Sequence, residues 1–220
     1  MNGQLDPSDY TGMSFWIISA AMVAATFFFW VERDRAVGKW KTSLTVAAMV
    51  TGIAAIHYFY MRGVWASTGE SPLVFRYVDW LLTVPLQIVE FYLILAAIAV
   101  VKSSLFWRLL IASVIMLVAG YLGEVGSVNV WAGFVVGMLG WIYIIYEVFA
   151  GEASQINASK GTAASQRAFN ALRLIVTIGW AIYPIGYVVG YTGGGSAEGL
   201  NIIYNPVSYT HLTLPTKRIV

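Results

Sequence analysis

Cysteine is absent from all 220 residues, which removes disulfides, thiol nucleophiles and thiolate metal sites together. Histidine occurs only twice, in isolated places, so no imidazole metal cluster is expected. Charge is scarce too. Only 11% of residues are Asp, Glu, Lys or Arg, against about a quarter in soluble domains. The net charge of +2 is too small to argue for nucleic acid, and none is expected as a partner. The opening MNGQLDPSDY has no basic region leading into an apolar core, so no secretory signal is read there. What fills the chain instead is apolar, 59% of it. The expected fold is all-α, a single polytopic helical bundle in a lipid bilayer.

Runs of about 20 apolar residues, the length that crosses a bilayer, fall at Tyr10–Val31, Trp40–Met61, Leu73–Val101, Leu105–Leu122, Val128–Phe149 and Ala168–Tyr191. Short polar joints separate these six. A seventh helix begins near Glu198 with GLNIIYN, and then the text changes character. Arg33, Arg35, Lys39 and Lys41 follow the first span, Lys102 and Arg108 flank the joint after the third, and Lys160, Arg167 and Arg173 follow the fifth. The alternate joints contain only Arg62. The positive-inside bias therefore places the N-terminus outside.

The third span carries charge where charge is costly. It reads RYVDWLLTVPLQIVE from Arg76 to Glu90, and intramembrane ionisable groups usually mark a path for ions, protons or a charged cofactor. From Asp79, Thr83 is four residues on, Gln87 eight and Glu90 eleven, so all lie near one helical face. Asp79 and Glu90 are then about 16 Å apart along the axis. Too distant to share one proton, they are placed to serve opposite halves of a membrane.

Arg76, one turn outward of Asp79, is the expected partner of that carboxylate. The alternative is a structural pair that fixes helix packing. Glu90 has apolar neighbours and no cation within a turn, so it is expected to hold its proton until a stronger base takes it. A side chain reaching for headgroups is the alternative there. His57, in IAAIHYFY, lies at a depth similar to Asp79. It either tunes that carboxyl or joins two helices by a hydrogen bond.

Most of the aromatic residues read as packing and interfacial belts. Trp80, Trp141 and Trp180 sit well inside their spans, however, and Tyr183 and Pro184 follow in IGWAIYPIGY. Three central tryptophans beside a carboxylate suggest a flat, apolar, conjugated ligand. Pro184 removes a backbone hydrogen bond and marks a candidate hinge.

RYVDWLLTVPLQIVEFYLIL, with SDYTGMSFW, GWIYIIYE, LRLIVTIGWAIYPIGY and GGGSAEGLNIIYN, closely resembles the proteorhodopsin group of the microbial rhodopsin family. The resemblance runs from about Asp6 to Asn205 and implies a seven-helix rhodopsin-like fold and a light-driven outward proton pump using all-trans retinal. Asp79 matches that family's proton acceptor and counterion, with Arg76 as its outward neighbour. His57 matches the residue that tunes the acceptor, and Glu90 matches the cytoplasmic proton donor. Thr83 completes a pattern similar to proton pumps rather than sodium or chloride pumps. Trp80, Trp141, Trp180, Tyr183 and Pro184 match the retinal pocket. Gln87 stands where blue-absorbing members carry Gln and green-absorbing ones Leu, which implies a blue type. The resemblance also implies a multi-pass protein of the bacterial inner membrane, not an enzyme, with homo-pentamers or hexamers among its relatives.

The last fifteen residues depart from the family. They read PVSYTHLTLPTKRIV, where relatives continue an apolar helix bearing an Asp and then the lysine that binds retinal. Aligned without gaps, Ser208 takes the second counterion position and Leu212 the lysine position. Lys217 follows Pro215 and neighbours Arg218, which opposes burial. Pro206, Pro215 and the Thr-rich composition also oppose one continuous helix. The segment from Val207 resembles one reading frame of a transposon-based sequencing adapter, so an interruption of the gene near Pro206 is expected. The division is then 1–205, the rhodopsin-like domain, and 206–220, a tail foreign to it. No covalent pigment is expected. Other function classes are a photosensory receptor with a membrane partner, which the presence of Glu90 disfavours, and a non-functional fragment.

Overall fold

The computed structural model describes residues 6–193 and 197–213. Among them are helices α1 (Tyr10–Arg33), α2 (Lys39–Thr68), α3 (Leu73–Ile98), α4 (Ser103–Glu124), α5 (Val130–Phe149), α6 (Glu152–Lys160), α7 (Ala163–Leu174), α8 (Ile182–Tyr191) and α9 (Ala197–Thr213), with a π-helical stretch at Ile175–Gly179 between α7 and α8. They form seven rods. The segments Val130–Lys160 and Ala163–Tyr191 each act as one, and six of the rods are long and apolar enough to span a membrane. Successive rods pack side by side, and α9 closes the ring against α1 and α2. Large apolar side chains such as Phe27, Ile56, Leu139 and Ile178 face outward, as hydrocarbon surroundings allow.

Local chemistry sets the helix ends. The Asp9 carboxylate accepts from the Gly12 N–H at 2.7 Å, capping α1, and from the Trp65 indole at 3.0 Å. One side chain thus ties the start of α1 to the end of α2. Gly69, at φ 70°, ends α2 in the left-handed conformation. The joint after α2 is shorter than the sequence suggested, because the helix runs on past Met61 to Thr68. The polar joint after the fifth span is largely helical too, forming α6 and the start of α7. Helices there satisfy their own backbone groups, so polar composition does not prevent them.

Apolar side chains gain little by leaving lipid for protein, so close packing must hold the rods together. Between α4 and α5 the contact is backbone to backbone. A Cβ on Gly133 would lie 2.6 Å from the Ala119 carbonyl oxygen and 2.9 Å from the Gly123 Cα. Gly133→Leu is therefore expected to cost about 1–3 kcal/mol by forcing the helices apart. A lower midpoint of unfolding in sodium dodecyl sulfate checks this. Gly63→Ala, where a Cβ meets nothing within 4 Å, should leave the midpoint unchanged or raise it.

Two prolines act differently from each other. Pro184 lies in the first turn of α8, where a missing N–H is least costly. The Trp180 carbonyl that it leaves accepts instead from the Tyr183 N–H at 3.1 Å, and the Trp180 N–H reaches back to Ile175 at 2.9 Å. The regular α-helical ladder is interrupted here by a π turn followed by a proline. Pro206, by contrast, lies inside α9, which continues unbroken to Thr213. This corrects the expectation that the helix stops near that proline. The ring removes only one backbone hydrogen bond, it faces outward, and the buried Asn205 and Ser208 hold the helix on either side.

Candidate functional site

Helix α3 turns one polar face fully inward. Arg76, Asp79, Thr83, Gln87 and Glu90 are all buried, a cost that ordinary packing does not repay. Asp79 is 1% exposed, and among the described residues neither of its carboxylate oxygens makes a hydrogen bond. Its nearest charged partner is His57 on α2, whose Nδ1 lies 3.4 Å from Oδ1. That same Nδ1 is 3.0 Å from the Ile53 carbonyl, so the imidazole is anchored to its own helix as it approaches the acid. Thr83 donates to the Asp79 carbonyl at 2.9 Å.

Arg76 does not pair with Asp79, contrary to the expectation from its spacing. Its Nη2 donates to Asn201 at 2.5 Å and Asn205 at 2.8 Å, and its Nη1 to the Tyr58 hydroxyl at 3.2 Å. The guanidinium also lies 5.3 Å from the Phe15 ring and 5.6 Å from the Tyr204 ring. Two amides one turn apart on α9 thus hold the cation. Asn205 in turn donates to Ser14 on α1 at 2.8 Å, so the Arg76 cluster links α1, α2, α3 and α9. The sequence signal for these asparagines is their spacing of four in GLNIIYN, which puts both on one helical face.

Glu90, near the opposite end of α3, is 3% exposed. It does not reach for headgroups. Ser43 on α2 donates to its Oε2, while Oε1 has no partner among the described residues. Nothing local in KTSLTV marks Ser43 for this contact. The basic joints gather at this same end, where Arg108 donates to Glu152 at 2.7 Å and Arg173 to the Val148 carbonyl at 2.5 Å. Those contacts fasten α4, α5, α6 and α7 together.

Beside the polar face runs a cavity of about 470 Å³. Its walls include Trp80, Gln87, Trp141 and Trp180, and its polar flank is Thr83, Tyr183 and Ser208, with Pro184 also lining it. The Trp141 indole donates to the Val176 carbonyl at 2.7 Å, inside the π turn. Trp80 and Tyr183 meet edge to face at 4.8 Å, and the Tyr183 and Ser208 hydroxyls are 2.8 Å apart. His57, Asp79 and Glu90 are not among its lining residues, while Arg76, Tyr77 and Glu124 line its end nearest the start of α3. Tyr77 donates to Glu124 at 3.2 Å.

A slot of aromatic walls beside a buried acid invites comparison with known proteins. Residues 9–214 match the family profile described as bacteriorhodopsin-like protein. The chain belongs to the bacteriorhodopsin-like family. Within it, the chain is 56% identical over 214 residues to the green-light absorbing proteorhodopsin of Gamma-proteobacterium EBAC31A08, covering 96% of this chain and 86% of that one. It is 54% identical over 215 residues to the blue-light absorbing proteorhodopsin of Gamma-proteobacterium Hot 75m4, covering 96% and 85%. The crystal structure of blue light-absorbing proteorhodopsin from Med12 superposes with a TM-score of 0.82 at 53% identity, covering 96% of each chain. That of xanthorhodopsin, described as a light-driven ion pump with dual chromophore, gives 0.84 at 25% identity over 98% of this chain and 93% of its own. The fold is the rhodopsin bundle, and the protein is multi-pass.

Bacteriorhodopsin-like proteins imply retinal, and the aromatic slot fits a flat conjugated chain in both size and polarity. The amine is another matter. The described lysines, Lys39, Lys41, Lys102 and Lys160, sit in the basic joints, and none of them lines the cavity. Lys217 lies outside the described residues. Position 212 falls within α9, one turn beyond Ser208.

Proposed function

We propose that this fold is built for light-driven outward proton transport with all-trans retinal, and that the chain as it stands holds retinal without a covalent bond and does not pump. The observation that carries the first half is the buried column of Asp79, Thr83 and Glu90 beside an aromatic cavity. Retinal, when bound, supplies the light-driven change of shape and of proton affinity. The chain supplies the rest. Asp79, buried and without a hydrogen bond to its carboxylate oxygens among the described residues, takes a proton there, with His57 adjusting how readily it does so. Arg76, held by Asn201 and Asn205, keeps a positive charge on the exit side. Glu90 gives a proton from the cytoplasmic side, and Ser43 orients its carboxyl. Trp80, Trp141, Trp180, Tyr183 and Pro184 shape the slot, and Gln87 places a dipole along it, which favours the blue-absorbing type.

The second half rests on the sequence after Pro206. Ser208 and Leu212 occupy the second counterion and lysine positions, and residues 206–220 are read as foreign to the domain of residues 1–205. We place the protein in the bacterial inner membrane with its N-terminus outside, as a homo-pentamer or hexamer, acting as a transporter and not as an enzyme. The test uses the full chain carrying Leu212→Lys and Ser208→Asp. Illumination of retinal-supplied cells should acidify the medium, and an uncoupler should abolish the signal. A pigment that forms but moves no protons would refute the pump.

A further inference from the structure

We propose that the end of the cavity nearest the start of α3 binds a small quaternary ammonium of the choline kind, held by the Glu124 carboxylate among aromatic rings. The site is separate from the acids of α3 and does not depend on retinal. Glu124 is the last residue of α4, where a helix gathers partial negative charge, and it is half-buried. Among the described residues its carboxylate accepts from the Tyr77 hydroxyl at 3.2 Å and pairs with no lysine or arginine.

The rest of the lining does not supply the missing charge. Its other charged members are Glu70 and Arg76, and Asn201, Asn205 and Tyr58 already hold the terminal nitrogens of Arg76. Two acids against one guanidinium leave a net negative lining when both acids are ionised. A cation is the ligand that balances it.

The rings decide which cation. Tyr77, Phe134, Tyr187 and Tyr191 line the same cavity as Glu124. The Tyr187 ring lies 5.2 Å from that of Phe134 and 4.8 Å from that of Tyr191. The charge of Glu124 acts on the phenols of Tyr77, Tyr187 and Tyr191. Tyrosines of an interfacial belt sit among headgroups, but Tyr77 and Tyr187 are buried. Their hydroxyls are also committed, Tyr77 to Glu124 and Tyr187 to the Val130 carbonyl at 2.9 Å. What they leave for a ligand is ring surface, which attracts an organic ammonium. A hard metal ion needs several oxygen ligands, and no group of three or more acidic, histidine or cysteine side chains stands together among the described residues.

The experiment titrates the purified full chain in dodecyl maltoside with choline chloride and with 3,3-dimethylbutan-1-ol, its neutral isostere, by isothermal calorimetry. Choline is expected to bind at least about tenfold tighter, since only it carries the charge. Glu124→Gln should abolish that advantage and Tyr191→Leu weaken choline about threefold, both with unchanged helical circular dichroism. Equal binding of choline and the isostere, no binding of choline, or undiminished choline binding in a folded Glu124→Gln variant would overturn the proposal. Repeating the titration in vesicles separates the two sources of the ligand. Choline displaced in phosphatidylcholine but not in phosphatidylglycerol vesicles identifies a lipid headgroup, and equal affinity in both identifies a free solute; either result upholds the site.

Discussion

Leu212→Lys, in a chain otherwise unchanged, is expected to turn a colourless protein into a pigment when all-trans retinal is added. The chemistry is a condensation of the lysine amine with the retinal aldehyde, forming a carbon–nitrogen double bond and releasing water. The helix at position 212 is already formed, since α9 runs through Pro206 to Thr213. Ser208 lines the cavity, and position 212 is four residues further along the same face, about 6 Å up the axis. The buried Asp79 carboxylate, with His57 3.4 Å away and no hydrogen bond among the described residues, is available to stabilise the positive charge that such a bond acquires on protonation. The measurement is a visible absorption band that survives removal of free retinal. The unaltered chain should show none, so the contrast is all or nothing. A band of equal strength in the unaltered chain would show that another amine, Lys217 included, serves in its place.

In the same Leu212→Lys, Ser208→Asp background, Asp79→Asn should reduce light-driven acidification to the level of dark controls. The amide cannot take up a proton at physiological pH, and no second carboxylate stands on this part of α3 to replace it. Glu90→Gln is expected to behave differently. Glu90 is buried at the other end of the helix and held by Ser43, so its loss should spare the first proton transfer and slow recovery about 100-fold, the scale of losing a positioned proton donor. Flash photolysis separates the two outcomes. Pumping that persists in Asp79→Asn, or recovery unchanged in Glu90→Gln, would remove the residue concerned from its role.

Much of this site was legible in the order of residues along α3. Asp79, Thr83, Gln87 and Glu90 recur at helical spacing within a span too apolar to tolerate them idly, and the structure turns that face inward. The six spans were equally readable, because a bilayer demands about 20 apolar residues and the chain supplies them in blocks. Helix ends were not. The tail of α2 and the polar joint forming α6 are helical, although their composition resembles a loop. Pro206 misled for a related reason: one lost hydrogen bond at an outward-facing position does not outweigh the packing of α9 on either side.

The sequence by itself determined the membrane, the helices, the inward acid pair and the aromatic residues at mid-span, since each of these depends on neighbours within a few turns of one helix. Only the tertiary structure decided which groups meet. Arg76 lies three residues from Asp79 in the chain, yet it bonds to Asn201 and Asn205, 125 and 129 residues away. Glu90 finds Ser43 across 47 residues. Contacts between rods follow from how the ring closes, and helical periodicity specifies which face turns inward but not which neighbour it will meet there.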